Sequence, residues 1–502
     1  MRLPVRRLRH LPLCLALAAA GMPMAHAATA EVAPGLREMA AQDGAVDSLI
    51  VLSAKAPKHL LRPQGDYRER RRALVDLLRA TAEVSQADLR AWLDAEGVAY
   101  RPFWIVNSIE ARLTPGQIEA LAARADVAAL RTNTPIALAR PADGAEALPM
   151  PQPASIEAVE WGIHKVRAPL VWAAGYTGQG VVVAGQDTGI RWTHNALKAK
   201  YRGWNGATAD HNYNWRDAVH GVGNGTCAGD RPAPCDDNGH GTHTVGTMVG
   251  DDGGSNQVGV APGARWIGCR NMNSGVGTPV TYNECAQFFL APTDAAGQNP
   301  DPDRAPDVIN NSWGCPADEG CTAGNEVREA IENLVAGGIV FVAAAGNGGS
   351  LCGTILDPPA TYDASLTIGS MTSLDGMSGF SSRGPAAAAA TLKPDVVAPG
   401  STIRSATRGS DTAYGNSSGT SMATPHVAGV VALLMSVDPG LRGDPVRVAH
   451  LLRSTAVPLT SSTQICGGIP ATTIPNPVQG YGRVDAWSAF LALDRLYADD
   501  FD

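Results

Sequence analysis

Beyond its first 27 residues, the sequence lacks any run of the roughly 18 continuous apolar residues that a membrane-spanning helix needs. It also lacks an excess of positive charge, since 40 Lys and Arg stand against 48 Asp and Glu, a formal net charge of −8. This acidic balance argues against nucleic acid or an anionic membrane as the main partner. No paired C-x-x-C motif and no internal repeat are present, which disfavours a zinc site and a repeat architecture.

The N-terminus has the pattern of an export signal. Four arginines within the first nine residues precede an apolar run over 11–21, and Ala25-His-Ala27 offers small residues for cleavage. We therefore predict a signal peptide over residues 1–27. The remaining protein is expected to be soluble and secreted, either outside the cell or into a periplasm.

The cysteines predict disulfide bonds. Eight of the nine lie beyond the signal and after residue 140, and an even count in an exported chain favours pairing, although zinc ligation is the alternative. Eight cysteines allow 105 connectivities. The pairing that we expect has two local loops and two longer ones: Cys227–Cys235, Cys315–Cys321, Cys269–Cys285 and Cys352–Cys466.

Residues 28–140 have the pattern of a small α+β domain. Its elements follow the order strand, helix, strand, strand, helix, strand, which suits a ferredoxin-like sandwich. The first helical pattern covers about 67–95, and the second opens at Thr114-Pro115 with a capping residue and an early proline. The predicted strands are 48–52, 98–106, 109–113 and 127–131.

Residues 141–156 read as a linker. Four prolines among many alanines cannot support a regular element there. An exposed linker is a natural place for proteolytic cleavage, so we expect a maturation site within or beside it.

Residues 157–502 alternate between short apolar strands and helices. This alternation is typical of a mostly parallel sheet wrapped by helices. The predicted strands are 180–184, 265–268, 307–310, 339–344 and 366–369, and the predicted helices are 326–336 and 424–437.

Three side chains with the chemistry of a catalytic triad occur in the order acid, histidine, serine. Ser421 lies at the start of an apolar helix, where the helix dipole can stabilise the anion formed when it attacks an acyl carbon. Imidazole titrates near neutral pH, so His240 can take the proton from the serine. Asp187 ends an apolar strand and can orient the imidazole. Each residue alone also has another explanation. Ser421 can be a helix cap, His240 can form a metal pair with His243, and Asp187 can belong to a turn.

Two further motifs follow predicted strands. The side-chain amide of Asn347 can donate a hydrogen bond to the oxyanion, although an Asn-Gly turn is the alternative. The stretch Ser312-Trp313-Gly314 can present its backbone to an extended peptide, as in strand addition at a sheet edge.

Together, the motifs over about Trp161 to Val484 closely resemble those of the subtilisin-like serine proteases, and the cysteine-rich interior is most similar to the bacillopeptidase F branch. The resemblance implies a three-layer α/β fold with a mostly parallel central sheet. It implies the roles given above for Asp187, His240, Ser421 and Asn347. It also implies that residues 28–140 form an inhibitory propeptide that assists folding, blocks the cleft and is then cut away.

Two positions depart from the pattern of many family members. An aspartate and an asparagine that bind calcium in those proteins correspond here to Ala196 and Gly253, although Asp251 and Asp252 leave room for another ion. We therefore predict no required cofactor and no metal ligands. Asp357 aligns near the base of the pocket for the residue before the cut bond, where an acid favours Lys or Arg.

The sequence thus predicts a monomeric, secreted serine endopeptidase, made as a zymogen, that acts on proteins or peptides and is inhibited by its own propeptide. Neither nucleic acid nor a membrane is expected as a partner. Three alternatives stay open from the sequence: a non-catalytic binding protein with this fold, an ester hydrolase, and a metal-dependent hydrolase.

Overall fold

A computed structural model describes residues 30–61, 65–138, 159–220, 227–229, 231–315 and 327–499. We call residues 30–138 the N-terminal domain and residues 159–499 the main domain. The predicted signal peptide and the linker with its maturation site lie outside the described residues.

The N-terminal domain contains a five-stranded sheet. Its strands and helices are β1 (Glu31–Val32), α1 (Leu36–Asp43), β2 (Val46–Leu52), α2 (Tyr67–Ser85), α3 (Ala87–Ala95), β3 (Tyr100–Phe103), β4 (Ser108–Leu113), α4 (Pro115–Ala122) and β5 (Val127–Thr132). The sheet order is β1-β5-β2-β4-β3, with β2 antiparallel to both β4 and β5. The strand order of the four longer strands is that of the predicted ferredoxin-like sandwich.

The elements of this domain differ from the prediction in detail. The single helix expected over 67–95 is two helices, because hydroxyls near the end of α2 bond back to the preceding turn: Thr81 to the Leu77 carbonyl and Ser85 to the Thr81 carbonyl. Such back-bonding bends helices. The strand expected over 98–106 ends at Phe103, where a turn with Asn107 at φ 43° leads into β4. The short elements β1 and α1 were not predicted.

The main domain is built around a seven-stranded sheet. Its helices are α5 (Trp161–Lys165), α6 (Ala168–Ala173), α7 (Asn195–Lys198), α8 (His240–Val249), α9 (Pro279–Leu290), α10 (Arg328–Ala336), α11 (Thr420–Val437), α12 (Pro445–Ser454) and α13 (Ala486–Asp499). The strands that follow β6 (Ile136–Ala137) are β7 (Val182–Asp187), β8 (Trp215–Asp217), β9 (Arg265–Arg270), β10 (Met272–Asn273), β11 (Val276–Gly277), β12 (Val308–Asn311), β13 (Val340–Ala344), β14 (Leu366–Met371), β15 (Val396–Pro399), β16 (Ile403–Ala406), β17 (Tyr414–Ser417), β18 (Ile465–Cys466) and β19 (Ile469–Pro470).

The central sheet is parallel throughout, in the order β15-β14-β13-β12-β7-β9-β8. Neighbouring residues on one strand pack into two different apolar clusters, as expected where side chains alternate between faces. Val308 packs with α8, α11 and α13, whereas Ile309 packs with α9 and α10. The chain therefore forms three layers, as predicted. The five predicted strands are all central strands, and the sequence missed β8 and β15.

The core helix of the main domain is α11. It is long and apolar enough to span a membrane, but 89% of it is buried inside the protein. It begins at Thr420, four residues before the predicted start, because Pro425 is accommodated one turn inside the helix rather than at its beginning. This places Ser421 at the second helical position.

Three of the predicted disulfides are confirmed. They join Cys227 to Cys235, Cys269 to Cys285 and Cys352 to Cys466. Cys321, the partner predicted for Cys315, lies outside the described residues. The Cys352–Cys466 disulfide fixes the β18–β19 hairpin to the loop that follows β13.

Candidate active site

Asp187 and His240 form a hydrogen-bonded pair at the carboxyl end of β7. Asp187 is the last residue of that strand and is 2% exposed, and His240 is the first residue of α8. The imidazole Nδ1 lies 2.8 and 2.9 Å from the two carboxylate oxygens. A carboxylate only accepts, so the neutral imidazole carries its proton on Nδ1 and presents the Nε2 lone pair.

The start of α8 is held by Asp236, a residue that the sequence analysis did not single out. Its carboxylate accepts from the backbone N–H groups of Gly239 at 2.7 Å and Thr242 at 3.0 Å, and from the Thr188 hydroxyl at 3.0 Å. Burial raises the pKa of Asp236 above its usual value, while these donors act in the opposite direction. Asp236 thus caps the helix on one side of His240 and fixes the residue after Asp187 on the other.

Ser421 and Ser312 are joined by two reciprocal hydrogen bonds. The Ser421 hydroxyl donates to the Ser312 carbonyl at 3.0 Å, and the Ser312 hydroxyl donates to the Ser421 carbonyl at 3.1 Å. The second bond is available because Pro425 has no N–H to donate to the carbonyl four residues earlier. The proline therefore fixes the nucleophile candidate to the end of β12.

The register of the central sheet brings the two pairs together. Strands β7 and β12 are neighbours, with Asn311 opposite Gln186, so the next residues along each strand are Ser312 and Asp187. Adjacent strands lie about 4.8 Å apart. Because Asp187 holds His240 and Ser312 holds Ser421, these two hydrogen-bonded pairs lie at the same ends of neighbouring strands.

Asn347 lies beyond the end of β13, the next strand in the sheet. Its side-chain oxygen accepts from the Thr420 backbone N–H at 2.9 Å and hydroxyl at 3.0 Å. A backbone N–H can only donate, so the amide orientation is fixed with its oxygen toward Thr420. Gly419, the residue before Thr420, has φ 156° and ψ 161°, a conformation that is essentially restricted to glycine.

Two buried histidines near the triad are structural. Burial lowers the pKa of His243 to about 4 and that of His426 to about 4. His243 Nε2 lies 3.0 Å from the Ile403 carbonyl, and His426 Nδ1 lies 2.8 Å from the Met422 carbonyl. Both are therefore neutral at pH 7.

The stretch Ser312–Gly314 lies directly beside Asp357. A methyl group placed on Gly314 would lie 3.3 Å from Asp357 Cβ. The Cys315 N–H donates to the Pro358 carbonyl at 2.6 Å, which ties the two segments together. Trp313 is buried and stacks on Tyr282 with ring centroids 3.7 Å apart, so its side chain packs into the core.

The β10–β11 hairpin is a binding edge that the sequence analysis missed. Strand β6, at the end of the N-terminal domain, pairs antiparallel with β11, and the Leu138 N–H donates to the Gly275 carbonyl at 2.7 Å. This is strand addition of an extended segment. Asn238, two residues before His240, donates to the Ser274 carbonyl of the same hairpin.

The loop predicted as a doubtful calcium site does not fit a metal. Its acidic side chains already receive donors from the protein: Lys200 Nζ lies 3.3 Å from Asp251, and Asp252 accepts from the Gly254 N–H at 2.9 Å and the Asn256 amide at 2.6 Å. In the part of the chain that the structure describes, no group of three or more His, Cys, Asp or Glu could hold a metal ion.

Arg404 is a second cation that contacts this loop. Its guanidinium donates to Glu160 at 2.8 Å and to the side-chain oxygen of Asn256 at 2.7 Å. It also lies over the Tyr414 ring, 4.6 Å from the centroid. A guanidinium thus links the loop to the start of the main domain.

Comparison with known proteins gives one consistent result. The sequence profile of the subtilase family matches residues 178–482, more than half of the chain. Bacillopeptidase F of Bacillus subtilis (strain 168) is 36% identical over 85% of this chain, which spans only 29% of that relative. Subtilisin DY of Bacillus licheniformis is 35% identical over 61% of this chain and 94% of its own length. Subtilisin E of Bacillus subtilis (strain 168) is 32% identical over 61% of this chain and 68% of its own.

The matched residues contain the Asp187–His240 pair, Ser421 on its helix and Asn347 beside it. The chain therefore belongs to the subtilase family, a family of serine endopeptidases.

Proposed function

We propose that this protein is a secreted serine endopeptidase, made as a precursor, that hydrolyses peptide bonds in proteins through an acyl-enzyme. The observation that supports this proposal is the pairing of β7 with β12, because the Asp187–His240 and Ser312–Ser421 hydrogen bonds follow the ends of these two strands. The disulfides support an oxidising destination, hence secretion.

The first step is attack by Ser421 Oγ on the peptide carbonyl carbon. The hydroxyl turns from the Ser312 carbonyl toward Nε2 of His240, which takes its proton. Asp187 stabilises the imidazolium through Nδ1 without itself becoming protonated. His240 then gives this proton to the leaving amine, and the acyl group stays on Ser421. A water molecule, deprotonated by His240, attacks the acyl-enzyme and releases the acid.

The negative charge of the tetrahedral intermediate is stabilised by the NH₂ group of Asn347 and the Ser421 backbone N–H at the start of α11. These donors are fixed before the reaction, since Thr420 orients the amide and the helix orients the N–H. Their preorganisation makes them more effective than water, which must reorient.

The N-terminal domain acts as the inhibitor of this site. Strand β6 occupies the β11 edge, which runs beside the start of α8 and so beside His240. A substrate that adds a strand there competes for the same backbone groups. The self-cleavage that separates the domains falls in the linker after Leu138, outside the described residues.

Asp357 gives the pocket beside Gly314 a preference for Lys or Arg at the residue before the cut bond. Its side chain lies beside Gly314, since a methyl group placed on that glycine would be 3.8 Å from Asp357 Oδ2. A charged hydrogen bond of this kind contributes about 1.5–3 kcal/mol. The substrate class is therefore proteins cut after basic residues.

The chain is expected to act without nucleic acid, membrane or metal, as a monomer. The ester-hydrolase alternative is disfavoured by the strand-addition edge at β11, which recognises peptide backbone. The metal-dependent alternative is disfavoured by the Asp187–His240 pair, in which the imidazole is held by a carboxylate in the orientation that a triad needs.

Replacing Ser421 by Ala should abolish casein hydrolysis and leave the N-terminal domain attached. In subtilisin itself, loss of the nucleophile lowers kcat by about 10⁶, and we expect a similar loss here. Activity and the intact mass of the purified protein are the measurements. Ser436→Ala, the same change at the other end of α11, is the control and should mature normally. A Ser421→Ala chain that matures and hydrolyses casein would show that the assignment is wrong.

Replacing Asp357 by Ser should lower kcat/KM for peptides with Lys or Arg before the cut bond by about 10- to 100-fold, because a charge-assisted hydrogen bond is lost. Peptides with a neutral residue at that position should be affected much less. Asp375→Ser, which removes an acid paired with Lys165 elsewhere, is the matched control. Equal losses for both peptide classes would contradict a role in specificity.

Removing divalent metals should leave stability unchanged, because Lys200 pairs with Asp251, protein donors bind Asp252, and Arg404 holds Asn256 of the same loop. In a Ser421→Ala background, which prevents self-digestion, excess chelator should shift the thermal midpoint by less than about 1 °C. Arg404→Met should lower it by about 2–5 °C, the equivalent of one or two hydrogen bonds. Arg112→Met, at an exposed ion pair, is the control. A large chelator-induced drop, reversed by calcium, would refute this account.

A further inference from the structure

Glu284 on α9 is a buried carboxylate with three basic partners, two arginines and one histidine. Its side chain is only 6% exposed. It accepts from Arg216 Nε at 2.7 Å, from His220 Nε2 at 2.9 and 3.0 Å, and from Arg101 Nη1. A carboxylate this deeply buried requires such partners.

These partners come from two different domains. Arg216 belongs to β8 and His220 follows it, both in the main domain, whereas Arg101 belongs to β3 in the N-terminal domain. Arg101 is also held by Glu110 of β4 at 2.7 Å. The N-terminal domain thus presents a fixed guanidinium to a carboxylate in the main domain.

Other contacts across this boundary are of a different kind. Gln287 accepts from the Trp104 backbone N–H at 2.8 Å, and Arg71 donates to the Gly337 backbone carbonyl at 2.7 Å. The ion pairs Lys55–Glu329 and Arg72–Asp303 are more exposed, and exposed pairs contribute little. The Arg101–Glu284 contact is therefore the charge pair across the boundary that is most sensitive to local charge.

We propose that Glu284 is the site through which the main domain recognises Arg101 of its own N-terminal domain, and that protonation of His220 promotes release of that domain. This proposal rests on the inhibitory role proposed above. When Arg101 departs, Glu284 keeps Arg216 and His220, so no unpaired charge is left buried. While the N-terminal domain is docked, protonation of His220 places three cations, Arg101, Arg216 and His220, around one carboxylate.

The direction of the pH effect follows from the charges that surround His220: Arg101, Glu110, Arg216 and Glu284, with Asp294 near Arg216. The hydrogen bond to Glu284 raises the pKa of His220, whereas the charges of Arg101 and Arg216 lower it. When Arg101 departs, one of the charges that lower the pKa of His220 is removed, so His220 binds its proton more tightly after release. Release is therefore favoured as the pH falls through the pKa of His220. Each unit by which that pKa is higher in the released state than in the docked state changes the release equilibrium about tenfold.

The first test uses the full chain after self-cleavage, with the two parts still associated. Samples are held at pH 5.5 or 8, and aliquots are assayed at one common pH, so the pH dependence of catalysis cancels. We expect release to be about tenfold faster at pH 5.5. His220→Gln should abolish this difference, and Arg101→Met should release quickly at both values. Arg37→Met, which breaks an exposed pair with Glu119 inside the N-terminal domain, should behave like the wild type.

A pH dependence that persists unchanged in His220→Gln, or release in Arg101→Met no faster than in Arg37→Met, would overturn the proposal. If Arg101→Met does not fold, the comparison of wild type with His220→Gln decides alone.

The second test does not need catalysis. In full-length Ser421→Ala protein at pH 7, Arg101→Met should accelerate amide hydrogen exchange in β3 at least several-fold relative to Arg37→Met. A wild-type chain that fails to cleave itself would refute the proposed function, whereas equal exchange in the two variants would refute the recognition site.

Discussion

The adjacency of β7 and β12 in the central sheet is the constraint on which the site depends. Asp187 and Ser312 occupy corresponding positions at the ends of these strands. The carboxylate of one holds the imidazole of His240, and the backbone and hydroxyl of the other hold Ser421. Residues separated by more than 200 positions therefore meet because two parallel strands share one ladder of hydrogen bonds. A slip of register would separate base and nucleophile.

Charged side chains elsewhere in the molecule are held by specific partners, because an unpaired buried charge is costly. Asp236 is satisfied by the start of α8, and this fixes the position of His240. Arg404, which is only partly buried, pairs with Glu160 and with Asn256. Glu284 is paired partly by the N-terminal domain, which is the basis of the proposed coupling between domain association and the charge of His220. Each of these groups thus has partners that distant parts of the chain supply.

The sequence predicted five strands of the central sheet because short apolar runs leave a local signal. Its motifs also singled out Asp187, His240 and Ser421, whose joint role as a triad stays a prediction. It predicted three observed disulfides from spacing and parity. It could not locate Arg101 beside Glu284, because these residues lie 183 positions apart and neither stands in a motif. The β10–β11 edge was missed because strands of two residues have no periodicity. The start of α11 was placed too late because Pro425 is a strong start signal, and only the Ser312 hydroxyl explains its place inside the helix.

The central claim is that Ser421 is activated by an imidazole which Asp187 holds. Its most direct test is the rate at which a fluorophosphonate probe modifies the mature protein, with the modified residue identified by peptide mass. We expect one probe per chain, on Ser421, and a reaction about 10⁴-fold slower in Asp187→Asn, the size of effect known for such triads. Modification of another residue, or an unchanged rate in Asp187→Asn, would contradict the account.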